Sequence, residues 1–182
     1  FTVPTLVFFN KPYGVLSQFT PEGKWRALAE FIQVKDIYVA GRLDADSEGL
    51  LILTDDGKLQ AKIADPKHKL EKTYWAQVEG IPDETALDKL RAGIALPDFT
   101  ALPAKVCLID EPAGLWPRDP PIRHRAAIPT AWLEIRIAEG KNRQVRRMTA
   151  AIGHPTLRLI RAAIGAATLY GLALGAWRRI EG

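Results

Sequence analysis

Short apolar runs separated by polar, glycine- and proline-bearing segments divide this chain into brief elements. Residues 5–9, Thr-Leu-Val-Phe-Phe, predict a buried strand that ends at the turn-prone Asn10-Lys11-Pro12-Tyr13-Gly14. Residues 15–19 predict a second short strand. Large apolar side chains at Trp25, Leu28, Phe31 and Ile32 follow helical spacing, which predicts a helix over 25–32. Apolar runs at 37–40 and 50–53 predict strands around a polar loop, 41–49. Asp55-Asp56-Gly57 then predicts a turn or cap before a helix through Ala64.

Residues 72–78 alternate and predict a strand. Asp83-Glu84-Thr85 opens a helix to about Ala92, with acids where the helix dipole favours them. Strands are predicted over 104–109, 131–137 and 154–161, and a helix over 142–152. Residues 111–130 hold five prolines together with Arg118, Arg123 and Arg125, which predicts a long surface loop of functional character. Strands and helices mix without a regular βαβ rhythm, so the expected fold class is α+β with a largely antiparallel sheet. The nearly all-apolar stretch 162–176 is too short for the roughly 18–20 residues a membrane span needs. Its three glycines and six alanines predict close backbone packing instead, and a protein that does not enter a membrane.

Composition narrows the class. The 182 residues are 47% hydrophobic and 25% charged, an ordinary globular balance for one compact domain or two small subdomains. The single cysteine, Cys107, excludes a disulfide framework and points to a reducing, cytoplasmic setting. Lying within the apolar run 106–109, it is expected in the core. The opening Phe1-Thr2-Val3-Pro4 has no basic n-region and reads as a trimmed start, not a signal peptide. Charge is uneven. Residues 1–115 carry 13 Lys+Arg against 17 Asp+Glu, whereas residues 116–182 carry 12 against 4. An arginine-rich cationic half is the footprint expected for phosphate contacts. His68, His124 and His154 show no metal-ligand spacing with one another or with Cys107, so no metal site is expected. No Gly-rich phosphate loop or dinucleotide fingerprint appears.

Three constellations could carry chemistry. The loop Gly41-Arg42-Leu43-Asp44-Ala45-Asp46-Ser47-Glu48-Gly49 crowds three carboxylates beside an arginine on a glycine-bounded turn. Its plainer reading is an Asx-type turn built on Asp44 or Asp46. In the segment 139–148, Val145 and Met148 continue to Ile152 as one helical stripe facing the core. Arg143 then points away from that stripe, and Arg146 and Arg147 flank it, so the helical wheel does not choose between them. On the strand around Lys72-Thr73-Tyr74-Trp75, Lys72 and Tyr74 share a face, where Tyr74 either packs or stacks on a base.

Five segments together resemble the pseudouridine synthases of the small-subunit rRNA type: FFNKPYGVLSQF, GRLDADSEGLLILTDDG, KLEKTYWAQVEG, EGKNRQVRRMTAAIGHPTLRLIR and IGAATLYGLALGAWRRI. The resemblance covers nearly the whole chain. It implies a catalytic domain spanning 1–182, with two abutting α+β halves and a central cleft. Because no S4-like domain precedes Phe8, RNA affinity is expected from the catalytic domain and its proline-arginine loop. It implies Asp44 as the catalytic aspartate, Tyr74 as the active-site tyrosine and Arg146 as the arginine paired with the aspartate, on the order Gln144-Val145-Arg146. Lys11 and Lys72 match basic family positions near the RNA. Arg42, Arg123, Arg125, Lys141, Arg143 and Arg147 complete the expected RNA-contacting set.

The implied substrate is a uridine in large-subunit (23S) ribosomal RNA, handled by a monomer. Converting uridine to pseudouridine breaks the N1–C1′ bond, turns the uracil and rejoins it through C5. No group is gained and no redox change occurs, so no cofactor is expected. A carboxylate can assist the cleavage as nucleophile or base, and a close guanidinium favours its ionised form. The target base is expected to be flipped out, at roughly a few kcal/mol. Two other readings compete. One is a non-catalytic rRNA-binding or assembly factor. The other is a metal-dependent nuclease on Asp44, Asp46 and Glu48.

Overall fold

The structure, a computed structural model, describes residues 3–65, 67 and 70–180; Phe1, Thr2 and His68 lie outside that set. The chain folds as two compact units, Phe1–Leu70 with Arg161–Gly182, and Glu71–Ile160.

The first unit is built on β3 (Glu48–Thr54), whose seven residues are all buried. A strand covered on both faces needs a continuous apolar run, and Leu50-Leu51-Ile52-Leu53 supplies it. Strand β1 (Leu6–Lys11) lies antiparallel to β3, with Leu6 opposite Thr54 and Lys11 opposite Gly49. The expected strand therefore runs two residues further. Asn10 and Lys11 are ladder residues with no exposed surface, and the turn starts only at Pro12. Strand β2 (Tyr38–Ala40) pairs with β3 from Tyr38 opposite Thr54. The short strand β9 (Trp177–Ile180), carrying two arginines and lacking apolar alternation, pairs with β1 and was not expected. Helix α1 (Gly57–Ala64) starts where expected: Asp56 Oδ1 accepts from the amides of Lys58 at 2.9 Å and Leu59 at 3.4 Å.

Two expectations in this unit fail for one reason. Residues 15–19 form no strand, and 25–32 shrink to one 3-10 turn, Leu28–Glu30. The two stretches spend their backbone groups on each other: Leu16 donates to Arg26 at 2.9 Å, Arg26 to Gly14 at 3.1 Å, and Leu28 to Gln18 at 2.8 Å. Amides bonded sideways are not available to a helix. The apolar spacing is still satisfied, because Leu28 and Ile32 are buried in the core with Val7, Phe9, Leu51 and Leu53.

The second unit carries β4 (Lys72–Glu79), β5 (Lys105–Ile109) and β6 (Thr130–Ile137) in the antiparallel order β5-β6-β4. Burial on β4 alternates strictly, with Lys72, Tyr74, Ala76 and Val78 inward. Helices α2 (Glu84–Ala92) and α3 (Gln144–Ala151) contribute Leu87, Leu90, Val145 and Met148 to the same core. Cys107 is exposed, contrary to the expectation that it is a core residue. It sits on edge strand β5, where Val106 takes the buried side and the next residue must face away. Residues 111–130 form no helix or strand until β6 begins, as expected of a loop.

Strand β7 (Thr156–Ile164) carries the chain from the second unit back to the first, and β8 (Ala167–Thr168) folds against it. The apolar stretch 162–176 is thus strand end and tight turns. Among the described residues no helix is long and apolar enough to cross a membrane.

Candidate active site

In the first unit the loop 41–49 is held by its backbone on almost every residue. The guanidinium of Arg161, 2% exposed, donates to the carbonyl oxygens of Gly41 at 2.8 Å, Arg42 at 3.3 Å and Leu50 at 3.0 Å. Ser17 clamps Leu43 from both sides, donating through Oγ to its carbonyl at 2.6 Å and accepting from its amide at 3.0 Å. The Ala45 carbonyl accepts from Gly14 N at 2.7 Å and from Lys11 Nζ at 3.4 Å. Ser47 N closes the turn on the Asp44 carbonyl at 3.0 Å. Asp44 therefore stands, half-buried, on a segment with little freedom to move. Asp46 is also half-buried, Glu48 is buried, and Arg42 is exposed.

Lys11 is not the surface cation expected of an RNA contact. It has no exposed surface, and Nζ donates to Val15 O at 2.6 Å, Pro12 O at 3.0 Å and Ala45 O. Burial pushes its ammonium pKa down to about 7, against the pull of the Glu48, Asp46 and Asp44 carboxylates. Its place is as a brace under the Asp44 loop. Ser17 and Arg161, the other two braces, carry no role that the sequence announces, although both fall inside the segments that resemble the family. A residue that acts through a backbone carbonyl leaves no side-chain motif, so only the fold reveals it.

The second unit holds Tyr74 and Arg146. Tyr74, 8% exposed, lies in the core with Ile135, Val145 and Met148, on the same face of β4 as Lys72. Lys72 is 9% exposed, and its Nζ is 3.7 Å from where a Cβ at Gly140 would stand. Helix α3 begins two residues later than expected. Arg143 sits just before it with φ +52°, so helical-wheel reasoning does not apply to that side chain, which is exposed. Gln144, buried, organises the approach: its Oε1 accepts from Lys141 N at 3.1 Å and its Nε2 donates to Glu139 at 2.7 Å.

The structure separates the two arginines that the helical wheel leaves equivalent. Arg147 pairs with Asp98, holding that carboxyl below its ordinary range, and its guanidinium lies 5.3 Å from the Phe99 ring centroid. Lys141 covers the same ring at 5.4 Å. Arg146 is half-buried, with its Nε fully enclosed.

The proline-arginine loop is fixed from within. Arg118 donates to Pro120 O at 2.7 Å, Pro121 O at 3.2 Å and Leu157 O at 3.3 Å, and Arg158 donates to Trp116 O at 2.9 Å. Arg123 and Arg125 are exposed, the latter beside Glu79 at 3.3 Å. No group of three or more His, Cys, Asp or Glu side chains suited to a metal ion occurs among the described residues.

Residues 5–151 match the RNA pseudouridylate synthase family. A ribosomal large subunit pseudouridine synthase E of Vibrio vulnificus (strain CMCP6) is 58% identical over 176 residues, covering 97% of this chain and 75% of the relative. The protein of the same name from Xanthomonas axonopodis pv. citri (strain 306) is 59% identical, covering 92% and 90%. A ribosomal large subunit pseudouridine synthase B of Bacillus subtilis (strain 168) is 36% identical, covering 97% and 68%. A crystal structure of a pseudouridylate synthase superposes with a TM-score of 0.81 at 27% identity, covering all of this chain and 72% of that one. The agreement of family, relatives and fold over most of the chain settles its kinship: it belongs to the RNA pseudouridylate synthase family.

Proposed function

We propose that this chain isomerises a specific uridine of 23S ribosomal RNA to pseudouridine, with Asp44 as the carboxylate that assists cleavage of the N1–C1′ bond. The observation that carries this reading is the bracing of the Asp44 loop. Five backbone oxygens around one acidic turn are held by Arg161, Ser17, Gly14, Lys11 and Ser47. A carboxylate on a fixed loop meets a reacting sugar without reorganising, which is where preorganised catalysis gains most. The relatives named for large-subunit RNA support the substrate class.

In this reading Asp44 attacks C1′ or removes a sugar proton, freeing the uracil as an anion. The ring turns and C5 bonds to C1′ as the Asp44–C1′ ester breaks, or as Asp44 returns the proton to the sugar; the proton on C5 is then lost while N1 gains one. Tyr74 takes the C5 proton or holds the ring. Arg146 is the counter-charge of Asp44; the engagement of Arg147 with Asp98 and Phe99 favours this choice of arginine. Arg42, Arg123, Arg125, Lys141 and Arg143, all exposed, meet phosphates. Lys72 and Arg147, more deeply set around the turn 139–143, complete the RNA-facing group. The isomerisation exchanges only protons and requires no cofactor. Residues 1–182 work as one catalytic domain, as a monomer, in the cytoplasm where ribosomal RNA is made.

The test is tritium release from 23S ribosomal RNA labelled at uridine C5. Release to water is expected, together with loss of one mapped pseudouridine in cells lacking the protein. Binding without release, and an unchanged pseudouridine map, would favour a non-catalytic assembly factor instead.

A further inference from the structure

The segment between Pro12 and Arg26 carries an aromatic pair that the reaction does not use. Tyr13 and Trp25 meet edge to face, with ring centroids 6.2 Å apart and planes at 74°. Both are half-buried. The six-membered edge of Trp25 lies on the backbone of Gly14: a Cβ built there would be 3.9 Å from Cε3 and 4.0 Å from Cζ3. Gly14 is the residue whose amide donates to Ala45, next to Asp44. Trp25 thus packs on the residue whose amide bonds the acidic turn. Lys24, exposed, places its ammonium 4.6 Å from the Trp25 ring centroid. The neighbouring Arg26 is engaged elsewhere, with Glu30 at 2.7 Å and over Phe31.

An indole fixed at one edge, braced by a tyrosine and accompanied by one exposed cation, has the chemistry of a base-stacking site. Stacking of a nucleobase outweighs an exposed cation–π contact, so an arriving base displaces the Lys24 ammonium from the ring. The displaced charge is then free to meet the phosphate of the same nucleotide. We propose that Trp25, braced by Tyr13, is a stacking platform for an unpaired nucleotide adjoining the target uridine, with Lys24 on its phosphate. This inference rests on the RNA reading above and adds a site of its own to it. A platform beside the reacting nucleoside holds the flanking strand open, so its contribution falls on binding and not on the chemical step.

Two readouts test it: fluorescence anisotropy with a single-stranded oligouridylate of about ten nucleotides, and steady-state turnover of C5-tritiated 23S ribosomal RNA. Trp25→Ala should weaken the oligonucleotide about tenfold and raise KM in proportion, with kcat held within about twofold. Trp25→Phe should restore most of the affinity, and Trp25→Leu, which keeps apolar bulk without a stacking face, should not. A blunt duplex of equal length should bind all variants alike. Wild-type affinity in both Trp25→Leu and Trp25→Ala would overturn the platform, as would an equal loss on the duplex. If the wild type released no tritium while Trp25 still governed oligonucleotide binding, the proposed reaction would fail and the platform would stand.

Discussion

The ammonium of Lys11 donates to three backbone carbonyls, which is the full donor complement of its charged form. Burial brings its pKa to about 7, below the ordinary 10.5, so the unfolded chain holds this proton more tightly than the folded one. Between those two values the contribution of Lys11 to stability rises with pH, and the cost of burying its charge is felt in full below about 7. Denaturant melts at pH 7 and pH 9 should show a smaller pH response in Lys11→Met than in the parent; equal responses would contradict the burial argument. The two arginines of α3 separate in the same way. Arg146→Ala should lower kcat by at least about a hundredfold and leave RNA affinity within a few-fold, as loss of a group acting in the transition state does. Arg147→Ala should mainly weaken binding, and the reverse outcome would exchange the two roles. Asp44, Tyr74 and Arg146 were readable as candidates in the sequence because the proposed chemistry calls for those residue types within recognisable segments. Ser17, Arg161 and the bracing role of Lys11 were not, since their partners are main-chain atoms 26 to 120 residues away or hidden in a turn.

Strand β3 shows how an element positions the acidic turn. Gly49, at its start, has φ +111°, and a Cβ there would lie 2.3 Å from the Arg161 carbonyl oxygen. Only a residue without a side chain allows the backbone around Arg161 to come this close while its guanidinium reaches back to Gly41. Gly49→Ala should therefore lower the melting temperature by several degrees, corresponding to at least about 2 kcal/mol, and depress turnover. A variant as stable and active as the parent would remove the close approach from the account. Most elements could be read from apolar periodicity, since β4, α2, β6 and the buried stripe of α3 follow it closely. The 25–32 segment was misread because helical spacing of apolar residues says which side chains are buried, not where the amides bond. Strand β9 was missed because Trp177–Ile180 is held by its ladder with β1 and has no apolar alternation to announce it.

Charge is a property of the chain as a whole, and the reading depends on where it falls. Residues 116–182 carry eight more basic than acidic residues, and several of those arginines turn out to be structural. Arg118, Arg158 and Arg161 satisfy backbone carbonyls, so the count overstates the surface available to phosphate. Arg123 and Arg125 remain exposed on the proline-arginine loop. Replacing both by Ala should reduce the slope of log K against log salt by about one to two, each phosphate contact contributing roughly 0.7–0.9. An unchanged slope would remove the loop from the RNA-binding surface. The family kinship could be read from five ordered segments, whereas the division of arginines between scaffold and surface needed coordinates.

The claim on which the proposed reaction depends is that the Asp44 carboxylate takes part in breaking the glycosidic bond. Its most direct measurement is tritium release by Asp44→Asn, run beside RNA binding of the same protein. Asn keeps the size of Asp, and Arg161, Ser17, Gly14, Lys11 and Ser47 hold the loop through backbone oxygens, so the variant should fold normally and bind RNA within a few-fold of the parent while releasing no tritium above background. Release at the parental rate by a folded Asp44→Asn protein would contradict the account.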